Sequence, residues 1–203
     1  MDFRTIQIRR RGVSVAKTFH YKVLDMGEAF AYNGRGEQAI MPPLLYHLPA
    51  TGNGRSAPRG HHAAIQLYTG DAIQFIDLTE KVAELVRGSG ISEGLVNVQT
   101  RHTTAAVLVN ENEPLLIEDM KRILRRLAPL QAAYRHDDLP SRAHVEPGEG
   151  RNGHAHCQAL FLRTSETINI AGGELQLGPW QRIFFVELDK PRRREVSVQI
   201  LGC

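Results

Sequence analysis

Leu95-Val96-Asn97-Val98-Gln99-Thr100-Arg101-His102-Thr103-Thr104-Ala105-Ala106-Val107-Leu108-Val109-Asn110 is rich in β-branched residues, begins after Gly94 and ends on polar Asn110-Glu111. That composition predicts a strand. Extended without a bulge, it sends Val96, Val98, Thr100 and His102 to one face, because successive side chains alternate. An imidazole then shares the valine side. An apolar run carrying an imidazole and a terminal carboxamide–carboxylate pair, in a chain with nine histidines, points to a polar site beside the core.

His154 to Leu162 predicts a second strand, in which His154, His156, Gln158, Leu160 and Leu162 share a face. The His-x-His spacing would set two imidazoles roughly 7 Å apart at Cα, since a strand rises ~3.3 Å per residue. A helix is expected between the two strands, from Glu113 to about Leu127, with Asn112 as N-cap and Pro114 in the first turn, where a missing N–H costs little. Leu115, Leu116, Met120, Ile123, Leu124 and Leu127 form its apolar face. Asp119 falls at the edge of that stripe, which predicts a buried carboxylate with a partner, either an ion pair or cap or a member of the site.

These segments, taken in order, resemble the YjbQ-like family. The series is His102-Thr103-Thr104-Ala105-Ala106 with Asn110-Glu111, then Asp119, His136 in Tyr134-Arg135-His136, Asn152 with His156, Gly173, and Leu177-Gly178-Pro179-Trp180-Gln181 with Glu187. It covers about Ile65 to Gly202. The resemblance implies an α+β domain with mixed β-sheets curled into a half-barrel, assembled as a homotrimer. It also implies a thiamine-phosphate synthase activity, in which a pyrimidine diphosphate ester is joined to a thiazole phosphate and pyrophosphate is released. Three or four neutral imidazoles beside a carboxylate match a borderline ion such as Zn²⁺, and three protein ligands leave a position open, so the expected cofactor is a divalent metal, Zn²⁺ or Mg²⁺. His102, His136, His156 and His154 are the candidate ligands. Asn110, Glu111 and Asp119 are candidates to orient the ion or move protons, and Arg101, Thr103, Thr104, Asn152, Trp180 and Gln181 to hold a phosphorylated small molecule. Two other readings stay open: a metal-dependent hydrolase with Glu111 as base, and a non-catalytic protein that holds a metal or a phosphorylated metabolite. Each histidine could also simply hydrogen-bond locally.

The 203 residues suffice for one domain with an appendage. No run of ~18 apolar residues is present, and the basic N-terminus lacks a signal-peptide core, so a soluble cytoplasmic protein without a membrane partner is expected. Cys157 and Cys203 read as free thiols. Residues 1–60 carry nine Lys/Arg against four Asp/Glu, and residues 61–203 carry sixteen against eighteen. The basicity therefore belongs to the leader, where Arg9-Arg10-Arg11 reads as a solvated tail, and no nucleic-acid partner is expected.

Residues 49–62 read as a loop that separates a 1–60 extension, disordered or foreign to the family, from a domain over 61–203. Initiation downstream of Met1 is an alternative account of that extension. Within it Ile6–Ile8 and Val13–Val15 are candidate short strands, and His61-His62 is expected to be exposed. Beyond it come a strand over 72–76 and a helix over 80–87, capped by Thr79 and stopped at Gly88 or Gly90. The end of the chain reads as strands 166–170 and 174–177 about a Gly172-Gly173 turn, then a hairpin of 182–188 with 195–201. Strands in runs with a few helices make an α+β class.

Overall fold

The computed structural model describes residues 3–6, 19–23, 29–31, 57–146 and 149–203, and the chain divides into units 1–53 and 54–203. In the first unit β1 (Phe3–Ile6), β2 (Phe19–Val23) and β3 (Ala29–Ala31) form an antiparallel sheet in that order. Ile6 closes β1, whereas Ile8, Arg9–Arg11, Val13–Val15 and the start of the expected 49–62 loop lie outside the described residues.

The second unit contains β4 (Arg59–Tyr68), β5 (Gln74–Asp77), α1 (Thr79–Ser89), β6 (Gly94–Thr100), β7 (Ala105–Glu111) and α2 (Pro114–Leu127). Two 3-10 turns follow, Arg135–Asp137 and Leu139–Ser141, and then α3 (Gly153–Ala159), β8 (Ser165–Ala171), β9 (Glu174–Leu175), β10 (Gln181–Glu187) and β11 (Arg193–Gly202). One sheet runs β5-β10-β7 and the other β4-β11-β6-β8-β9. The unit is a curled half-barrel with three helices, an α+β fold, and its described pairings are antiparallel. Strand β4 takes in His61 and His62, so the expected loop ends before Arg59. Both imidazoles are exposed, and the His62 ring meets the Ser197 hydroxyl at 3.0 Å.

The stretch 95–110 is two strands in different sheets, not one. The Thr100 hydroxyl accepts from the His102 backbone N–H at 3.3 Å, a local bond that competes with the ladder and turns the chain. The segment expected as a strand from His154 is helix α3. It contains no Val, Ile or Thr to favour a pleated backbone, and His154, Ala155 and Gln158 form one buried helical face. The expected hairpin of 182–188 with 195–201 is also absent, because β10 pairs with β5 and β7 while β11 pairs with β4 and β6.

Strand β10 explains that separation. Ile183, Phe184, Phe185 and Val186 are all buried, so the strand needs a packed layer on each face as well as a neighbour on each edge. Ile183 and Phe185 enter a core built from α1, β4, β6, β8 and β11. Phe184 and Val186 enter a second cluster with Ile73, Ala106, Leu124, Ala155 and Leu188, which seats α2 and α3.

The helix ends follow local chemistry. Helix α1 stops at Gly90, whose φ of 65° is the left-handed conformation that glycine adopts without steric cost. Glu113, rather than the expected Asn112, caps α2, and its carboxylate accepts from Leu115 N at 2.9 Å and Leu116 N at 2.7 Å. The Asn112 amide instead donates to Asp77. Of the apolar face expected for α2 only Leu124 is fully buried, while Leu115, Ile123 and Leu127 are exposed, Leu115 at 75%. No helix among the described residues is long and apolar enough to cross a membrane.

Candidate functional site

The chain brings the candidate residues together in two places. Gln181 faces Glu111 and Glu187 faces Ala105 across the β7–β10 pair. Asn110, Glu111, Trp180 and Gln181 therefore lie at one end of that ribbon and the 101–104 turn at the other, ~20 Å away at ~3.4 Å per residue.

At the turn end, the Asp137 carboxylate accepts from Asn152 N at 3.0 Å and Gly153 N at 2.8 Å, tying the first 3-10 turn to the start of α3. Gly153 makes the seam possible, since a Cβ there would fall 2.5 Å from Tyr134 Cβ and 2.8 Å from Cγ. The result is a ring pair, His136 and His156, with centroids 4.7 Å apart and planes at 67°. His136 Nε2 is buried without a hydrogen-bond partner and stands 3.8 Å from the Glu149 carboxylate, which Arg142 also engages. Burial and then the neighbouring His136 hold His156 below its ordinary pKa, and Asp189 and Glu149 act in the opposite direction.

His102 stands apart from this pair. Among the described residues no three His, Cys, Asp or Glu side chains cluster closely enough to hold a metal ion. His102 Nε2 accepts from the Glu195 backbone N–H at 3.2 Å, so its lone pair is engaged. Burial and the Arg194 charge lower its pKa, with Glu187 and Glu195 opposing and Arg101 assisting. His154, expected on the same face as His156, points into the core because α3 is a helix; its Nε2 is buried without a partner. Asn152 presents a buried side-chain oxygen that is likewise unpaired.

The expected burial of Asp119 is also corrected. Asp119 is not buried: its side chain is 58% exposed and pairs with Arg122 at 2.7 Å along the helix. A carboxylate one turn from a guanidinium on an open face has no reason to enter the core. Thr104 is buried and accepts from Arg194 at 3.0 Å. Arg101 is exposed and pairs with Glu195, and Thr103 is exposed. Trp180 is 71% exposed, the Gln181 side chain accepts from Gly178 N, and Asn110 reaches the Met120 sulfur.

Glu187, named only within the sequence motif, turns out to be fully buried, and Arg194, Asp189, Arg142, Glu149 and Asp137 shape the same end of the fold. A carboxylate directly after Ile183-Phe-Phe-Val was the available signal for Glu187. For Arg142 and Glu149, in a polar loop, the sequence carried none.

The lowered pKa values have a consequence for stability. His102 and His156 are neutral in the fold, so their contribution is fully present above the ordinary imidazole value of about 6.5 and is lost as pH falls below it. Urea midpoints of the metal-free protein are expected to fall from pH ~6.5 downward. The double replacement His102→Gln, His156→Gln is expected to flatten that slope. An unchanged slope in the double variant would show that other groups carry it.

The model of the family described as UPF0047 protein YjbQ-like matches residues 63–203. A UPF0047 protein of Methanothermobacter thermautotrophicus is 36% identical over 138 residues, covering 68% of this chain and 90% of the relative. One from Archaeoglobus fulgidus is 38% identical over 137 residues, covering 68% and 98%. Among solved structures, a YbjQ-like protein of unknown function from Sulfolobus solfataricus superposes with a TM-score of 0.65 at 31% identity, over 72% of this chain and all of the other. A hypothetical protein from Aeropyrum pernix gives 0.63 at 38%, over 70% and 99%.

Proposed function

The chain belongs to the UPF0047 YjbQ-like family, and from that membership we propose that it is a cytoplasmic enzyme of the thiamine-phosphate synthase type, acting on phosphorylated small molecules at the His136–His156 end of the fold. The observation that carries the reading is the ring pair itself. His136 offers a buried, unpartnered nitrogen beside His156, which is kept neutral near neutral pH. Neutral imidazoles are what a borderline divalent ion takes, so Zn²⁺ fits these donors better than Mg²⁺. Held by His136 and His156, such an ion would supply positive charge against a departing diphosphate. Arg142 and Arg192 stand among the groups of this end, and Arg192 Nε is buried and unpaired.

The described residues of one chain bring two rings together here, so a metal would take further donors from substrate, water or a neighbouring copy. The open apolar face of α2 and the exposed Trp180 suit a homotrimer in which the Asn110–Glu111 end of one copy meets the histidine end of the next.

Protein purified without a histidine tag, analysed for metal and assayed for pyrophosphate release from the pyrimidine diphosphate ester and thiazole phosphate, tests the reading. Chelation is expected to abolish turnover. His136→Ala and His156→Ala should each lose metal and lower turnover by more than the ~10–100-fold seen for loss of a ligand's outer partner. Stoichiometric metal without turnover would mark a binding protein, and full activity in both variants would sink the site.

A further inference from the structure

The Glu187 carboxylate is wholly buried and accepts from five donors: Arg194 Nε at 2.7 Å, Arg194 Nη2, Thr69 Oγ1 at 3.1 Å, and the backbone N–H groups of Leu188 at 3.2 Å and Asp189 at 3.0 Å. Burial alone would raise its pKa, but Arg194 first, then the Asp189 N–H and Thr69, together hold it below the usual carboxylate range. Arg194, 4% exposed, sends Nη2 on to the Thr104 hydroxyl. The Thr104 carbonyl in turn accepts from Leu188 N at 3.2 Å. The next residue, Glu195, donates its backbone N–H to His102 Nε2. The 101–104 turn is thus fastened to the end of β10 and the start of β11 by one bond from the ion pair itself, Arg194 to Thr104, and by two backbone N–H groups beside it, those of Leu188 and Glu195.

A backbone N–H can only donate, so His102 Nε2 must present its lone pair, and in the neutral ring the single proton sits on Nδ1. We propose that Glu187 and Arg194 are positioning residues that hold the 101–104 turn so that His102 is kept as an Nδ1–H donor, suited to a phosphate or carbonyl oxygen and with no free nitrogen lone pair for a metal. The inference rests on the reading above only in taking a substrate to lie beside His102. Two charged neighbours of each sign, Arg194 and Arg101 with Glu187 and Glu195, face the ring. Arg194 serves here where lysine would not, because its planar fork holds the carboxylate with two donors and still reaches Thr104 with one of them.

The full chain, labelled with ¹⁵N-histidine and free of metal and substrate, provides the test. Long-range ¹H–¹⁵N spectra above pH 7 are expected to show His102, identified by its loss in His102→Gln, as the Nδ1–H tautomer, opposite to the form free histidine favours in water. Thr104→Val and Arg194→Lys should each move it toward a tautomer mixture, and Thr104→Ser, which keeps the hydroxyl, should restore it. An Nε2–H ring in the wild type, or an unchanged tautomer in Thr104→Val, overturns the proposal. Thr104→Val decides alone if Arg194→Lys does not fold. A chain with this tautomer pattern and no transferase activity would sink the functional reading and leave this one standing.

Discussion

Arg194→Ala is expected to lower unfolding stability by ~3–5 kcal/mol, the cost of leaving a buried charge without its partner. Glu187 has no exposed surface, and Thr69 and two backbone N–H groups do not replace the guanidinium fork. The loss should appear in urea unfolding at neutral pH as a lower midpoint with an unchanged slope. A double replacement, Glu187→Gln with Arg194→Met, should recover a large part of it, because the amide oxygen still accepts from the Leu188 and Asp189 backbone N–H groups, the amide NH2 can donate to the Thr69 hydroxyl, and no net charge remains buried. A single-variant loss under ~1 kcal/mol would mean that water reaches the pair, since exposed ion pairs contribute no more than that.

Phe184→Ala is expected to cost a comparable ~3–5 kcal/mol, the range for emptying a buried aromatic position. Its consequences should be local. Phe184 meets Phe75 edge-on with centroids 5.9 Å apart, and it packs with Leu124 of α2 and Ala155 of α3. Removing the ring loosens α2 and α3, the latter carrying His156, while the first core stays filled by Phe185. Amide exchange should therefore accelerate in α2 and α3 before it does in β6 and β11. Uniform acceleration across both sheets would show that the two clusters unfold as one unit.

Much of the secondary structure was legible in the sequence. The α1 helix with its glycine stop, α2 with Pro114 at its start, and strands β5, β8 and β10 all follow from apolar period and turn chemistry read over a few residues. The errors have a common origin. His154–Leu162 alternates well enough for a strand, yet helix and strand patterns coincide over so short a segment, and contact with Leu124 and Phe184 selected the helix. Asp119 is exposed because the apolar stripe of α2 is fully buried within one chain only at Leu124, with Leu116 and Met120 half-covered.

By itself the sequence determined the family, the α+β class, the strand-forming runs and the residue types available for chemistry, because these depend on composition, order and local backbone preference. Only the tertiary structure decided that the 95–110 run breaks at His102 and feeds two sheets, and that His136 meets His156 while His102 is claimed by the Glu195 backbone. It also decided that a glutamate and an arginine, seven residues apart in sequence, are buried together as an ion pair. The physical reason is that burial and long-range hydrogen bonding belong to the packed state. Whether an imidazole is a free ligand or an occupied acceptor depends on which distant backbone N–H the fold brings to it.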